Sequence, residues 1–480
     1  MRGSLVALAL LAGLAAPASG PSAAVPRAAP RHERLHYTPQ DRETGRYQYV
    51  PVAVPAGATR LTVGYSYDAA GGASAIDLGL FEPGPLDLGT RAFRGWSGGA
   101  RTEVTLTRSE ATPGYWPGPL PAGEWHVMLG LYRVAPGGVD VTLTTQVSLE
   151  PEAARDATLV PPPAGPLRPG PAWYSGGLHL HTVHSDGGHT TAEVCRRARE
   201  AGLDFVVITD HNNTTHQLDA IDEPGLLRIV GEEVTTPGGH AGVWGLGGWR
   251  DDVDFRVMPG DTRVADLVRA ANARGALFAI NHPKASCPGC SWEHAIPDGV
   301  TAIEITDAGR TEQLASIALW DALLAQGRRI VGVGSSDWHR PDHPIDWASV
   351  RVWARDLSQS AIFEGIRAGR VVVMADGRTP PPVLAVRVGG KEARIGDTLA
   401  LEKGALATIE VTAPDALADA RVDLVCSGAP AASATLERGR PARFERRVEA
   451  DGYVRAHVTG ADGSPVAVTN PVFLKVRGAS

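Results

Sequence analysis

The chain has 480 residues, a formal net charge of -7 at neutral pH and 43% hydrophobic residues. This length allows two to four domains with a substantial core, and the weak acidic balance without a basic run excludes the charge pattern of a nucleic-acid or anionic-membrane partner. Only four cysteines occur, at Cys195, Cys287, Cys290 and Cys426, which excludes a disulfide-stabilised scaffold.

The N-terminus has the pattern of a secretory signal. Arg2 precedes an apolar run at residues 5–14, and small residues follow up to Gly20. We therefore expect residues 1–24 to be a signal peptide, and the mature protein to be secreted or periplasmic. An uncleaved anchor is the alternative. The apolar run is shorter than the roughly 20 residues that span a bilayer, and no later stretch reaches that length, so we expect no membrane span after signal removal.

Residues 33–150 predict an antiparallel β-sandwich. Short segments alternate polar and apolar residues between glycine and proline turns, at residues 49–54, 60–65, 102–106, 125–129 and 139–143. The region contains no evident cluster of metal ligands or activated nucleophile. We expect it to pack against the next domain, with ligand binding as the alternative.

A proline-rich segment, residues 151–172, favours extended conformations and predicts a domain linker. Residues 173–378 then alternate strands with helices. Thr190 and Glu193 have the spacing of a capping box at the start of a helix, and a buried strand follows at 205–209. The alternation repeats through strands at 276–280 and 329–333. Repeated units of this kind predict a (β/α) barrel or a doubly wound sheet.

Two histidines near the start of this region are candidate metal ligands. His179 and His181 are two residues apart, so a strand would place both imidazoles on one face about 7 Å apart. The turn residues that follow would place Asp186 at the end of the strand. Two strand histidines satisfied by ordinary hydrogen bonds are the alternative.

Further polar residues follow the predicted strands at their carboxyl ends. They are Asp210 and His211, His282, and Asp337 with His339, while Glu232, Glu233 and His240 flank a predicted strand and its turn. In a (β/α) barrel the carboxyl ends of the strands meet at one mouth, so distant segments would converge there. The sequence therefore predicts a metal site at this mouth.

Assembled in order, these motifs resemble the polymerase-and-histidinol-phosphatase (PHP) family of metallohydrolases. The match runs through His179-x-His181, Ser185-Asp186-Gly187, Thr209-Asp-His211, Gly231-Glu-Glu233, His240, His282-Pro283 and Asp337-x-His339. The flanking regions, with the segment at residues 466–472, resemble the carbaryl-hydrolase-like (CehA/McbA-type) branch.

The resemblance implies an α/β fold: a distorted (β/α)7 TIM-like barrel flanked by N-terminal and C-terminal β-sandwich domains. It also implies two or three divalent ions. The implied ligands are His179, His181, Glu233 and Asp337 for one ion; Glu233, His240 and His282 for a second; and Asp186, His211 and His339 for a third. Glu232 competes with Glu233 for the bridging position, and we prefer Glu233. The implied catalytic residues are Glu233, Asp337 and His339.

This ligand chemistry favours hydrolysis. Imidazole and carboxylate ligands without thiolate suit Zn, Mn or Fe, and neighbouring ions can share a water and lower its pKa to about 7. Our leading hypothesis is an exported metal-dependent hydrolase that uses a metal-bridged hydroxide to cleave a small-molecule phosphate mono- or diester. A carboxyl-ester or aryl-carbamate hydrolase is the alternative, and a non-catalytic surface-binding protein is a further one. The sequence does not indicate the oligomeric state.

Three cations near the predicted strand ends are candidates to bind phosphoryl oxygens. They are Lys284, Arg310 and Arg340, and for each of them a solvated surface position is the alternative.

The remaining predictions concern Cys287, Cys290 and the C-terminal region. A C-x-x-C without a second pair makes a poor zinc site, so we expect Cys287 and Cys290 to form a small disulfide, with a redox role as the alternative. Residues 381–478 predict a second β-sandwich, because alternating segments recur at 384–388, 407–411, 421–425 and 453–458.

Overall fold

The computed structural model describes residues 29–152, 155–221, 223–306 and 313–477. The predicted signal peptide therefore lies outside the described residues, as does Arg310. Among the helices in these ranges, none combines the length and the apolar character that crossing a bilayer requires.

The N-terminal strands form two antiparallel sheets that enclose one apolar core. The elements are β1 (Arg31–Tyr37), α1 (Pro39–Thr44), β2 (Tyr47–Val54), β3 (Arg60–Tyr67), β4 (Ala75–Phe81), β5 (Phe93–Gly98), β6 (Glu103–Thr107), β7 (Gly123–Arg133) and β8 (Val139–Ser148). One sheet has the order β1-β8-β3-β6 and the other has the order β2-β7-β4-β5. Alternate residues of both sheets, such as Val50, Leu61 and Leu129, point inward and are buried.

The central region combines strands with helices. Its elements are β9 (Pro169–Leu180), α2 (Thr191–Glu200), β10 (Phe205–Ile208), β11 (Leu227–Thr236), β12 (Gly239–Trp244), α3 (Val264–Ala273), β13 (Leu277–Ile280), β14 (Ala302–Thr306), α4 (Gln313–Ala325), β15 (Val331–Gly334), β16 (Val350–Asp356), α5 (Gln359–Arg367) and β17 (Val371–Met374). The predicted capping box is present, because the Thr190 side chain accepts from the Glu193 N–H and the Glu193 carboxylate accepts from the Thr190 N–H.

The central sheet is mixed rather than parallel throughout. Strands β9, β10 and β11 pair in parallel, as do β13, β14 and β15. Strand β12 is antiparallel to both of its neighbours, because the short Pro237-Gly238 turn folds it back along β11. Strands β16 and β17 are also antiparallel additions next to β9. The fold is thus mixed α/β with few helices, and the described strand pairing does not show a closed barrel.

The C-terminal strands complete a further sheet and extend the central one. They are β18 (Val383–Val388), β19 (Lys391–Arg394), β20 (Thr398–Glu402), β21 (Ala405–Thr412), β22 (Arg421–Cys426), β23 (Ala429–Thr435), β24 (Ala442–Val448), β25 (Gly452–Thr459), β26 (Pro465–Thr469) and β27 (Val472–Arg477). Strands β19-β18-β21-β24 form a separate sheet. Strand β26 pairs with β17, so hydrogen bonding continues from the central region into the C-terminal region.

Asn470 links the two ends of the central sheet. Its side-chain amide bonds the backbone of Gly332 in β15 twice, since Oδ1 accepts from the Gly332 N–H at 2.9 Å and Nδ2 donates to the Gly332 oxygen at 2.7 Å. The same Nδ2 donates to the Val371 oxygen in β17 at 3.0 Å. Asn470 is buried, so these bonds satisfy backbone groups that water does not reach.

Candidate metal centre

Strand β9 carries the two opening histidines on one face. His179 and His181 are both buried, and their ring centroids lie 5.0 Å apart. Leu178 and Leu180 alternate with them and pack into two different apolar cores. The i, i+2 period of the strand therefore gives the polar face that the sequence predicted.

The first candidate ligand group consists of His179, His181, Glu233 and Asp337. The two histidines come from the end of β9, Glu233 from β11 and Asp337 from the segment after β15. The Nε2 atom of His179 lies 3.1 Å from Oε1 of Glu233 and 3.1 Å from Oδ1 of Asp337, and Nε2 of His181 lies 3.0 Å from that same Asp337 oxygen. Ligand atoms about 2.0–2.2 Å from one ion lie roughly 3 Å from each other, so these separations suit a shared cation.

Glu233 and His240 of the β11–β12 hairpin form a second candidate group with His211, which follows β10. Thr235 is opposite His240 in the antiparallel register, and Glu233 is two residues before Thr235, so Glu233 and His240 share a face. Nδ1 of His240 lies 3.3 Å from Oε1 of Glu233. His282 also contacts this carboxylate, with its Nε2 3.1 Å from Oε1, although His211 rather than His282 completes the group.

A third group lies at the mouth of the site and comprises His181, Asp186, His211 and His339. Oδ1 of Asp186 lies 3.2 Å from Nε2 of His339 and 3.6 Å from Nε2 of His211. The rings of His181 and His339 stack with centroids 4.0 Å apart. The side chain of Asp186 is 47% exposed, so this group opens towards solvent whereas the first is enclosed.

Unpartnered polar atoms at the centre of these groups fit bound cations. Nε2 of His179, Nδ1 of His240 and Oε2 of Glu233 are buried and have no hydrogen-bond partner among the described residues. Buried polar atoms are rarely left in this state, and metal ligation is one way to satisfy them. Nitrogen and carboxylate donors without thiolate suit divalent zinc, manganese or iron.

Sequence reasoning missed Glu304, which supports the first group from behind. Its Oε1 lies 2.9 Å from Nδ1 of His179, and its Oε2 accepts from the backbone N–H of His282 at 2.6 Å. A histidine that ligates a metal through Nε2 donates its other ring N–H to a partner of this kind. The signal in the sequence is a lone carboxylate between Ile303 and Ile305 in a fully buried strand.

Asp210 holds the segment that carries Asp186. Its Oδ1 accepts from the Thr182 N–H at 2.8 Å and from the Ser185 hydroxyl at 2.7 Å, and its Oδ2 accepts from the Thr182 hydroxyl at 2.7 Å. Burial alone would raise the pKa of Asp210. The bond and charge of His216 outweigh burial and hold the pKa below its usual range. Asp210 is therefore an ionised acceptor that orients the ligand-bearing turn.

Two adjacent glutamates have opposite environments. Glu233 lies among the histidines, and although burial opposes ionisation, the charges of His179 and His211 hold its pKa well below the usual value. Glu232 points to the other face of β11, where burial and the charge of Asp252 raise its pKa well above the usual value. Of the two, only Glu233 belongs to a candidate ligand group.

The carboxylates also determine the protonation of the histidines. Burial would lower the pKa of His282 and His339. The hydrogen bond to Glu233 and the charge of Glu233 instead raise the pKa of His282 to about 9. The hydrogen bond that His339 donates to Asp186, together with the charge of Asp337, raises the pKa of His339 to about 9. Burial and the neighbouring charges of His339 and His211 lower the pKa of His181 to about 4. Without a cation, some of these rings therefore carry protons that ligation would displace.

The backbone is strained at two predicted ligands. His282 has a φ of 23° and Asp337 has a φ of 47°, which is the left-handed region that residues with a Cβ rarely adopt. The adjacent hydrogen bond from the Asp337 N–H to the Ser335 hydroxyl, at 3.1 Å, supports this conformation. Backbone strain of this kind is common at functional sites, where a side chain must point in a fixed direction.

The other described residues singled out in the sequence belong to none of these groups. Lys284 and Arg340 are exposed, and neither is among the described residues that line the adjoining cavity. Cys287 and Cys290 are joined by a disulfide bond in the loop after His282.

A cavity of about 430 Å³ adjoins the candidate ligands. Asp186, His211 and His240 line one side of it, and residues of the N-terminal sheets line the other. This volume is within the range of small-molecule sites. The sequence predicted that the N-terminal region packs against the next domain. The structure adds that this region also forms part of the cavity wall.

Neither a protein-family model nor a curated protein matches the chain. Among solved structures, it is similar to a two-domain protein containing a predicted PHP-like metal-dependent phosphoesterase from Bacteroides vulgatus, with 17% identity, a TM-score of 0.37, and coverage of 67% of this chain and 100% of that one. A candidate metal-dependent phosphoesterase from Bifidobacterium adolescentis matches with 16% identity and a TM-score of 0.29, covering 43% of this chain and 96% of that one. An amidohydrolase from Chromobacterium violaceum has 16% identity and a TM-score of 0.27, with 41% and 96% coverage. TM-scores this low assign neither fold nor activity, so the site must be interpreted from its own residues.

Proposed function

We propose that this protein is a metal-dependent hydrolase of small-molecule phosphate esters. One observation carries the proposal: three candidate ligand groups adjoin each other by sharing His181, Glu233 and His211. Shared ligands would hold cations as close neighbours rather than as isolated structural ions. A structural site is usually closed, whereas the third group opens to solvent beside the cavity.

The proposed ligands are those implied by the resemblance, in an arrangement of two or three ions. His179, His181, Glu233 and Asp337 would hold one ion, His240 and Glu233 with His211 or His282 a second, and Asp186, His211 and His339 a third. Bound divalent ions supply activation of a water and stabilisation of charge on the entering and leaving oxygens. Such clusters suit phosphoryl transfer, in which negative charge spreads over several oxygens.

The chain itself supplies orientation and charge. Glu233 and Asp337 are kept ionised by the histidines around them, so they provide the negative charge that adjacent cations require. Glu304 fixes the ring of His179, and Asp210 fixes the turn that carries Asp186. Glu233, Asp337 and His339 remain the proposed catalytic residues, because all three belong to the candidate ligand groups and the side chains of Asp337 and His339 are partly exposed.

The test is a combined measurement of metal content and turnover. Purified protein would be loaded separately with Zn, Mn and Fe, its ions counted, and its activity assayed on nitrophenyl phosphate and bis(nitrophenyl) phosphate beside nitrophenyl acetate and naphthyl methylcarbamate. We expect at least two ions per chain and turnover of a phosphate ester. His179→Ala should lose both, while His457→Ala, in β25 of the C-terminal region, is the matched control and should lose neither.

The alternatives give different results in the same assay. Turnover of the acetate or the carbamate without any phosphate turnover would reject our first choice and favour the carboxyl-ester or aryl-carbamate hydrolase. A protein that purifies without ions and responds to none of them would instead favour a non-catalytic surface-binding role.

We also propose that the central region is a PHP-type distorted (β/α)7 barrel, related to the carbaryl-hydrolase-like branch. The order of the ligand motifs supports this assignment, and so does the way in which Asn470 ties β15 to β17 at the two ends of the sheet. The proposed domains are residues 33–150 and 381–478 on either side of residues 173–378, with residues 151–172 as a linker. We further propose export to the periplasm or the medium, on the pattern of residues 1–24.

A further inference from the structure

The wall of the cavity opposite the ligand groups belongs to the N-terminal sheets. Arg46 and Tyr47 at the start of β2 and Asp77 in β4 face the same space as Asp186 and His211. A substrate held at the candidate ligands would therefore extend towards these three side chains.

All three polar groups on this wall lack partners. In the part of the chain that the structure describes, no hydrogen bond or ion pair engages the Arg46 guanidinium, the Tyr47 hydroxyl or the Asp77 carboxyl, and Nε of Arg46 is buried as well as unpartnered. Arg46 is partly buried, and burial lowers the pKa of its guanidinium, aided by the charge of Arg42 and opposed by Tyr47 and Asp77. Neither Tyr47 nor Asp77 bonds the guanidinium in the part of the chain that the structure describes, so its N–H donors remain available to a ligand oxyanion.

The wall is also held rigidly. The Tyr47 ring packs edge-on against Trp96 at 6.3 Å and against Phe255 at 5.9 Å, and the rings of Trp96 and Phe255 lie 4.8 Å apart. Trp96 and Phe255 are buried, so this aromatic cluster fixes the N-terminal sheet against the central region. The Tyr47 ring therefore stands at a fixed position beside Arg46, as recognition groups do.

We propose that Arg46 is a specificity residue that binds an oxyanion on the organic part of the substrate, remote from the bond that is cleaved. This deepens the proposed function and rests on it, because the phosphoryl group is taken to lie at the candidate ligands. The planar guanidinium matches a carboxylate or a second phosphoryl group through paired N–H donors. The Tyr47 hydroxyl can add a third donor to the same group.

Asp77 lies on the same wall as Arg46. Its carboxyl faces the cavity without a hydrogen-bond partner among the described residues. With the phosphoryl group at the candidate ligands and a second oxyanion at Arg46, the proposed substrate is an ester with two separated acidic groups, one at the metal side and one at Arg46.

Binding of non-hydrolysable phosphonates to the metal-loaded protein tests this inference separately from turnover. Phenylphosphonate carries one acidic group, 4-phosphonobenzoate adds a carboxylate, and 1,4-benzenediphosphonate adds a second phosphonate. We expect the wild type to bind at least one of the two latter compounds roughly 10-fold more tightly than phenylphosphonate, because one charge-assisted contact is added. Arg46→Gln should remove this preference and leave phenylphosphonate binding within about threefold. Arg34→Gln, an exposed position in β1, is the matched control and should keep it.

The outcomes separate the two proposals. Equal affinity of the wild type for all three compounds, no binding of any of them, or a preference that survives in Arg46→Gln would overturn the inference. A preference lost in Arg46→Gln by a protein that cleaves no phosphate ester would reject the proposed function and leave the inference standing. If the wild type prefers only 4-phosphonobenzoate, the site takes a carboxylate. If it prefers only 1,4-benzenediphosphonate, the site takes a second phosphoryl group.

Discussion

Oε1 of Glu304 lies 2.9 Å from Nδ1 of His179, and both side chains are buried. The imidazole is therefore held with Nε2 directed at Glu233 and Asp337. This pairing fixes both the tautomer and the orientation of a proposed ligand. It implies that a residue with no ligand atom in the site controls the affinity of the site.

We predict that Glu304→Gln weakens metal binding by about 10- to 100-fold while the protein stays folded. The amide keeps the size of the carboxyl but loses the charge that favours donation from His179. Competition with a chromophoric chelator would measure the affinity, and circular dichroism would report the fold. Glu364→Gln, at an exposed ion pair with Arg355, is the control and should bind metal as the wild type does. Unchanged affinity in Glu304→Gln would contradict the assigned role.

We predict that replacing Glu233 by glutamine abolishes metal binding and activity, whereas the same replacement at the adjacent Glu232 does not. Glu233→Gln should lose bound metal and at least about 100-fold of activity, because it removes a carboxylate shared by two ligand groups. Glu232→Gln should retain both, because the amide resembles the protonated acid that burial favours at that position. Metal content and kcat/KM for the two variants would decide, and loss of metal in Glu232→Gln alone would reverse the assignment.

The raised pKa of Glu232 also predicts a dependence of stability on pH. An acid with a raised pKa in the folded state contributes stability that is present below its ordinary pKa of about 4.3 and is lost as the pH rises towards the raised value. Glu232→Gln has no such loss. The free energy of unfolding of Glu232→Gln minus that of the wild type should therefore increase from about pH 4.3 upward. Urea unfolding at a series of pH values measures this difference, and a constant difference would contradict the prediction.

Metal uptake should release protons below about pH 9. His282 and His339 have raised pKa values of about 9 in the metal-free protein, and a ligating imidazole must be neutral. The apparent affinity should therefore rise with pH up to about 9 and level off above it. Calorimetric titrations in buffers with different ionisation enthalpies would count the protons. Metal binding to His339→Asn should release fewer protons than metal binding to the wild type. Equal release would show that the metal displaces no proton from the His339 ring.

Replacing Asn470, whose side-chain amide links β15 to β17, should destabilise the central sheet. Asn470→Ala removes three hydrogen bonds and leaves the buried backbone groups of Gly332 without partners, which should cost about 2–4 kcal/mol in the free energy of unfolding. Asn272→Ala removes a comparable amide at an exposed position and is the control. A difference between the two variants of less than about 1 kcal/mol would show that the link carries little stability.

Much of the site could be predicted because its residues sit in recognisable local patterns. The i, i+2 spacing of His179 and His181 and the position of Asp337 after a buried strand place these side chains at one edge of a sheet, and the structure brings them together. The sequence did not reveal the direction of β12. A short turn after β11 was expected, but nothing in the local pattern decides whether the next strand returns alongside it.

The contributions missed by sequence reasoning come from tertiary contacts. Glu304 is one carboxylate in an apolar strand, and its value lies in a contact with a histidine 125 residues earlier in the chain. Arg46 and Asp77 belong to a region with no motif, and only the packing of that region against the central sheet turns them towards the cavity. Alternation along a strand predicts which face is buried but not what that face meets.

The Asn470 amide has a consequence for how the protein is made. A ribosome releases the opening histidines of β9 first and Asn470 138 residues after Gly332, so the join between β15 and β17 stays open until the chain as far as Asn470 has emerged. The segment that carries Asp337 directly follows β15 and shares that delay. Loading of the proposed metal site should therefore follow the emergence of Asn470 from the ribosome.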